Sequence, residues 1–227
     1  MNWLHCRLNQ QGCLLESTIS HNTWIHRVAR VAVRPLARTN VTPNQITTLR
    51  LGAGLIAGAA FAMGDMTWTY WGSAIFVLAM LLDRADGDLA RMTGRTSPWG
   101  HTYDLFSDAF CNAWAFVGIG IGLHGSGVLG QWAIPLGVLA GLAIVAVLWL
   151  VIRIEAEQGP RAGELGGIYG FDADDAMLVV PVALSLGGAV PLLVAAAVGA
   201  PLFALGMAVY LTQRLRAARV SASTPKN

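Results

Sequence analysis

Long apolar runs, separated by short glycine-containing breaks, are the dominant pattern of this chain. A helix that crosses a bilayer needs about 20 mainly apolar residues. Six segments approach this length: Gln45–Met63, Thr69–Leu82, Tyr103–Leu123, Trp132–Ile152, Phe171–Leu186 and Leu192–Leu211. The second continues as a helix past Leu82 into a charged stretch, and the last two are nearly continuous. The pattern predicts an all-α integral membrane protein with six transmembrane helices.

The segment before the first apolar run, "HNTWIHRVARVAVRPLARTNVTPN", has a different pattern. Its apolar residues recur at helical spacing, and Arg27, Arg30 and Arg34 fall on the opposite side. This predicts an N-terminal amphipathic helix in the membrane interface, with a packed helix of a cytosolic domain as the alternative. Thr42 and Pro43 are typical of the N-cap and first position of the next helix.

These boundaries divide the chain into three parts. Residues 1–20 form an N-terminal extension with no interpretable pattern, residues 21–213 a membrane domain, and residues 214–227 a basic cytoplasmic tail. The three cysteines, Cys6, Cys13 and Cys111, have no metal-ligand spacing and give no disulfide framework.

The distribution of charge predicts the orientation in the membrane. The loops 64–68, 124–131 and 187–191 contain no Lys or Arg, and we assign all 15 basic residues of the chain to the other side. The positive-inside rule then places both termini in the cytoplasm, in what we interpret as a bacterial inner membrane. The net charge of +2 is too small to indicate a nucleic-acid partner.

One stretch, "LLDRADGDLARMTGRTSPWGHTYDLFSD", places five aspartates beside apolar segments, although only 12% of the chain is charged. Residues three and four apart share a helix face. Asp83 and Asp86 therefore share one face at the end of the second segment, and Asp104 and Asp108 share one at the start of the third. With a short connection, we expect these two helices to be antiparallel neighbours whose four carboxylates converge. Asp88 points away on this spacing, and we expect it to be solvated or near the lipid headgroups.

Four neighbouring carboxylates repel one another, and divalent cations remove that repulsion. Oxygen ligands suit Mg²⁺ or Mn²⁺, and Mg²⁺ often shares its coordination with substrate phosphates. We therefore expect two ions at Asp83, Asp86, Asp104 and Asp108. Gly87 would let a phosphate approach the backbone, and Arg91 carries a fork that matches phosphate oxygens.

These residues resemble the signature of the CDP-alcohol phosphotransferase family, D-x2-D-G-x2-A-R-x8-G-x3-D-x3-D. All of its fixed positions are present, and a chance match is on the order of 10⁻¹⁰ per starting position. They are Asp83, Asp86, Gly87, Ala90, Arg91, Gly100, Asp104 and Asp108. The family also has an N-terminal interfacial helix and six membrane helices.

The resemblance implies a role for each matching residue. Asp83, Asp86 and Asp104 would hold one ion, and Asp83, Asp104 and Asp108 the second. Asp108 would also be the general base that takes the proton of the acceptor hydroxyl, after which CMP leaves. The CDP-alcohol donor would contact five further positions: Asn44, Thr47, Gly87, Arg91 and Ser97. Family members are commonly homodimers.

The acceptor is the open part of the resemblance. Members that use glycerophosphate usually have Lys after the last aspartate, where this chain has Ala109. Inositol-phosphate users need a basic pocket, for which Arg153 and Arg161 are candidates. Asp172, Asp174 and Asp175 could face an acceptor or could simply suit a helix N-terminus. We interpret His101 as a structural hydrogen-bond donor.

The expected reaction is transfer of a phosphatidyl group from CDP-diacylglycerol to a small hydroxylated acceptor, in phospholipid biosynthesis. One alternative is transfer from a soluble CDP-amino-alcohol to a lipid acceptor. An alternative of another class is a membrane protein that binds or transports divalent cations. Intramembrane acids mark such pathways as well, but a transporter would place them near the middle of the membrane rather than at one edge.

Overall fold

Glycine and proline mark the ends of the helices in this protein. The computed structural model describes residues 39–125, 127–158 and 177–223, and every regular element in these ranges is helical. The bounds are α1 Pro43–Ala62, α2 Met66–Thr93, α3 Pro98–Leu123, α4 Ala133–Gln158, α5 Val179–Ser185 and α6 Ala189–Ser223. The predicted interfacial helix and the residues Arg161, Asp172, Asp174 and Asp175 lie outside the described residues.

The helix ends follow local sequence signals. Thr42 is the N-cap of α1 with Pro43 in the first turn, as predicted, and Gln45 Oε1 accepts a hydrogen bond from the Thr42 N–H at 2.9 Å. Helix α2 runs unbroken through its apolar part into the charged stretch, and ends at Gly94, whose φ of 65° is left-handed. Only a residue without a Cβ adopts that conformation at little cost.

The last two predicted segments are separate helices, because Gly187, with φ of 77°, turns the chain between α5 and α6. Helix α6 contains Pro201 and continues to Ser223, so the segment predicted as a tail begins as helix. Four described stretches are long and apolar enough to cross a membrane: 43–62, 98–123, 130–156 and 189–213. Large apolar side chains such as Trp71, Leu142 and Leu202 are exposed on them and on α2, as lipid-facing positions require.

Helix α1 lies at the centre of the site region. It packs along both α2 and α3, whereas α2 and α3 make almost no backbone contact with each other within the described residues. The expectation that α2 and α3 are packed neighbours is therefore wrong. Their four-residue connection, 94–97, keeps the two helix ends close while the helices diverge, and α1 fills the space between them.

Small residues allow this close packing. A Cβ on Gly118 of α3 would collide with the backbone carbonyl of Gly58 on α1, and one on Gly54 would collide with Cys111. The main core lies further from the charged end, where Phe61, Phe76, Phe116 and Leu193 are buried together. A smaller group of Ile46, Ala85 and Leu89 packs α1 against α2 just beside the aspartates.

Candidate active site

Three of the four predicted carboxylates meet at one end of the helices. Ligand oxygens of Asp83 and Asp86 on α2 and of Asp104 on α3 all lie within 4.8 Å of one another. Asp86 is buried, and the other two are partly exposed. Three hard oxygen donors at this separation can hold a divalent cation. Asp108 lies one turn further along α3, outside this group of three.

Arg50 of α1 lies against the same carboxylates, and the sequence interpretation missed it. Its Nη1 makes an ion pair with Asp83 Oδ1 and lies 3.1 Å from Asp104 Oδ1. Its Nη2 donates a 2.7 Å hydrogen bond to the backbone carbonyl of Asp104. Only 2% of the residue is exposed. The available signal was an arginine inside an apolar segment, which generally marks a functional site.

Thr47, three residues before Arg50, contacts Asp86. Its hydroxyl donates a 2.7 Å hydrogen bond to Asp86 Oδ2. Asp86 lies beyond Leu82, in the charged end of α2, and burial together with the nearby charge of Asp104 raises its pKa to about 7. Its anionic form is therefore destabilised by desolvation and repulsion, which a bound cation would offset.

Asp108 is held from within α3. The side-chain amide of Asn112, one turn later, donates to both carboxylate oxygens at 3.2 Å. Asn112 is itself buried. The amide therefore restrains the orientation of the carboxylate that is predicted to act as the base.

Asp88 differs from its prediction. It is not one of the three carboxylates that meet, in agreement with its spacing, but it is buried rather than solvated. Its Oδ1 accepts a 2.8 Å hydrogen bond from Arg91 Nη2, one turn further along α2. This ion pair offsets part of the cost of burying the carboxylate. A Cβ on Gly87 would lie 3.4 Å from the same guanidinium, so Gly87 leaves room beside Arg91.

The other residues predicted to contact the CDP-alcohol donor, Asn44 and Ser97, lie at the start of α1 and of α3. Ser97 is the N-cap of α3, and its hydroxyl accepts from the Gly100 N–H at 3.0 Å. Asn44 is exposed, and its Oδ1 faces the Cα of Gly100. Both side chains therefore border the loop that joins α2 to α3, next to the carboxylates.

Among the acceptor-side candidates, Arg153 lies within the described residues. Arg153 is exposed on α4, and its guanidinium lies 5.1 Å from the centroid of the Trp149 ring. His101 Nε2 lies 3.1 Å from Glu155 Oε2, a contact that joins the start of α3 to the end of α4. This contact is consistent with a structural role for His101.

One buried and two partly exposed carboxylates beside a buried arginine, at the ends of membrane-length apolar helices, define a helical membrane protein with a polar site suited to a divalent cation. Residues 40–212 match the family described as CDP-alcohol phosphatidyltransferase. The chain belongs to that family and is a CDP-alcohol phosphotransferase, an enzyme of phospholipid synthesis. The matched residues include the whole aspartate motif.

Curated relatives share a substantial part of the chain. A phosphatidylinositol phosphate synthase of Cutibacterium acnes is 29% identical over 154 residues, 67% of this chain and 70% of the relative. The same enzyme of Streptomyces avermitilis is 35% identical over 94 residues, 40% of this chain and 37% of the relative.

Solved structures share the fold. A phosphatidylinositol phosphate synthase of Mycobacterium tuberculosis with CDP-DAG bound has a TM-score of 0.59 and 20% identity, over 84% of this chain and 92% of that one. A second structure, in complex with manganese and citrate, has a TM-score of 0.57 and 19% identity, over 83% of this chain and 87% of that one. At this identity, the likeness supports the fold.

Proposed function

We propose that this enzyme transfers a phosphatidyl group from CDP-diacylglycerol to a hydroxyl of an inositol phosphate, with release of CMP. The observation that carries the reaction is the convergence of Asp83, Asp86 and Asp104 within 4.8 Å. The choice of donor and acceptor is supported by the names of the relatives, which are phosphatidylinositol phosphate synthases. The presence of Ala109 in place of Lys also weighs against glycerophosphate as the acceptor.

The carboxylate oxygens of this site are ligands that suit hard divalent cations. Asp83, Asp86 and Asp104 would hold one Mg²⁺ or Mn²⁺, and Asp83, Asp104 and Asp108 a second. When bound, two ions would neutralise charge on the diphosphate of the donor. Thr47 orients Asp86 by its 2.7 Å hydrogen bond and so acts through that carboxylate. One structure of the Mycobacterium tuberculosis phosphatidylinositol phosphate synthase is in complex with manganese, which agrees with this choice of ions.

The remaining chemistry is assigned to residues of this chain. Asp108, oriented by Asn112, takes the proton of the acceptor hydroxyl. The acceptor oxygen forms a bond to the phosphorus that carries the diacylglycerol, and the bond from that phosphorus to the CMP oxygen breaks. CMP leaves with the electron pair. Gly87, Arg91, Ser97 and Asn44 would line the path of the nucleotide diphosphate.

The membrane arrangement is part of the proposal. It comprises six spans, an N-terminal interfacial helix, a membrane domain over residues 21–213 and a homodimer. Both termini and the site would face the cytoplasm, supported by the absence of Lys and Arg from residues 64–68, 124–131 and 187–191. A site at this edge can receive both a water-soluble acceptor and a lipid-linked donor. Arg153, Asp172 and Asp175 remain candidates for the acceptor side.

An acceptor screen tests the proposal. Purified protein with Mn²⁺ and CDP-diacylglycerol should release CMP with inositol phosphate, and far less with inositol, serine or glycerol 3-phosphate. Asp108→Asn should lower the rate by about 10²–10⁴-fold, the usual range for removing a general base. Asp65→Asn, which exchanges one good N-cap for another at the opposite end of α2, should retain the rate.

Two results would contradict the proposal. Release of CMP only from a soluble CDP-amino-alcohol with diacylglycerol would reverse the assignment of donor and acceptor. Movement of Mn²⁺ across vesicles, with no release of CMP from any CDP-alcohol, would favour the cation-transport alternative.

A further inference from the structure

Arg50 is placed unusually for a residue beside metal ligands. A positive charge in contact with carboxylates that are to bind divalent cations opposes that binding. Its Nη1 nevertheless contacts both Asp83 and Asp104, two of the three carboxylates in the group. The guanidinium and a cation would therefore share the same negative charge.

Arg50 cannot easily leave this position. Its Nη2 donates a 2.7 Å hydrogen bond to the backbone carbonyl of Asp104. This contact is independent of the Asp104 carboxylate. The residue is 2% exposed and lies on the face of α1 that packs between α2 and α3. Moving a guanidinium out of such an environment without a new partner is costly. It should therefore stay beside the site when cations bind.

Counting charges shows what a retained arginine does. Asp83, Asp86, Asp104 and Asp108 carry four negative charges when ionised, and Arg50 offsets one of them. Two divalent ions then leave this group with one net positive charge, whereas without Arg50 it would be neutral. A site with excess positive charge attracts the negatively charged diphosphate of a CDP-alcohol, and the attraction is strong where water is excluded.

We propose that Arg50 is a resident positive charge of the metal site, which weakens the binding of divalent cations and strengthens the binding of the donor diphosphate once the cations are present. This inference rests on the proposed metal and donor site. Arg50 thereby couples the two ligands, because a donor that enters a loaded site meets an uncompensated positive charge. It acts on both through the field it adds rather than through transfer of a proton.

Opposite shifts in two affinities test this role. In Arg50→Gln, Mn²⁺ binding, measured by electron paramagnetic resonance of free Mn²⁺, should tighten by about tenfold or more, because a unit charge acts strongly at these distances. CDP binding at saturating Mn²⁺, measured by calorimetry, should weaken by about tenfold. Arg50→Lys, which keeps the charge but not the planar fork, should return both values to within about threefold of the wild type.

Arg95→Gln is the matched control. It removes the same charge from the same end of the protein, but Arg95 is exposed and its Nη1 lies 3.5 Å from the Val41 carbonyl. Salt screens such a charge, so both affinities should change by less than about twofold. Should Arg50→Gln not fold, Arg50→Met provides a neutral side chain of similar length without a buried amide, and the same pair of shifts is expected.

Weaker binding of both Mn²⁺ and CDP in the neutral variants would overturn the proposal, because Arg50 would then only hold the helices together. Unchanged affinities would overturn it as well. Neither measurement depends on turnover. A wild type that shows the opposite shifts but releases no CMP from CDP-diacylglycerol would contradict the proposed function and still support this role of Arg50.

Discussion

The two halves of α1 perform different tasks on the same neighbouring helices. In the first half, Thr47 and Arg50 make polar contacts with Asp86, Asp83 and Asp104. In the second half, Gly54 and Gly58 lie directly against α3, opposite Cys111 and Trp114. The first half brings charged groups together, whereas the second half places glycines, which have no side chain, against α3.

The difference teaches how a charged site can be built without a polar core around it. In lipid, close backbone packing of small residues is a main source of helix association. The contact of Gly58 with Gly118 fixes the spacing of α1 and α3. With that spacing, an arginine on α1 reaches both the carboxylate and the backbone carbonyl of Asp104. The apolar half therefore determines the geometry of the polar half.

The largest expected effect comes from replacing Asp104, which contacts the first half of α1 through Arg50. In Asp104→Asn, CMP release should fall by about 10³-fold, because a neutral amide replaces an anionic ligand and Arg50 loses one of its two carboxylate partners. Mn²⁺ binding should weaken in parallel. The Asp65→Asn protein should behave like the wild type in both assays. Retention of Mn²⁺ affinity by Asp104→Asn would remove Asp104 from the metal site.

The second prediction concerns a substitution that disturbs the contact between α3 and the second half of α1. Gly118→Ala places a methyl group against the Gly58 carbonyl, so it should lower the free energy of unfolding by about 1–3 kcal/mol through overpacking. CMP release should also fall, because α1 and α3 must move apart at the site. Reversible chemical unfolding in detergent micelles measures the first effect.

Gly52→Ala is the matched control for this prediction, since a Cβ at Gly52 has nothing within 4 Å. It should be neutral or stabilise the protein by up to about 1 kcal/mol, because alanine is the better helix former. Equal stabilities of the two variants would mean that the close contact of α1 and α3 does not hold the bundle together.

Local features of the fold could be predicted from the sequence. Thr42 and Pro43 predicted the start of α1, and the spacing of Asp83 and Asp86 predicted that these two carboxylates share a face of α2. These features depend on residues within one or two helical turns of each other, where spacing alone determines geometry. For the same reason, α2 was expected to remain helical past Leu82, which the structure confirms.

Features that depend on packing between distant segments could not be predicted in this way. The position of α1 between α2 and α3 follows from glycine contacts across about 60 residues of chain, such as Gly58 with Gly118. Arg50 joined the site only through that packing. Spacing also separated Asp88 from the group of three but did not predict its burial, since burial depends on which helices cover that face.

The last and smallest expected effect concerns Asp88, whose partner is Arg91 rather than the three-carboxylate group. Asp88→Asn removes the charge that orients the Arg91 guanidinium. The KM for CDP-diacylglycerol should rise by about three- to tenfold, as expected for a partly exposed ion pair that positions a phosphate ligand. Because Asp88 is not part of the group of three, Mn²⁺ affinity should stay within about threefold.

The double variant Asp88→Asn/Arg91→Gln separates this role from a direct one. If Asp88 acts through Arg91, the two substitutions should be non-additive, and the double variant should resemble Arg91→Gln alone. Additive effects would show that Asp88 contributes independently of Arg91. A loss of Mn²⁺ affinity as large as that of Asp104→Asn would instead make Asp88 a metal ligand, and the contrast between the three-carboxylate group and the Asp88–Arg91 pair would disappear.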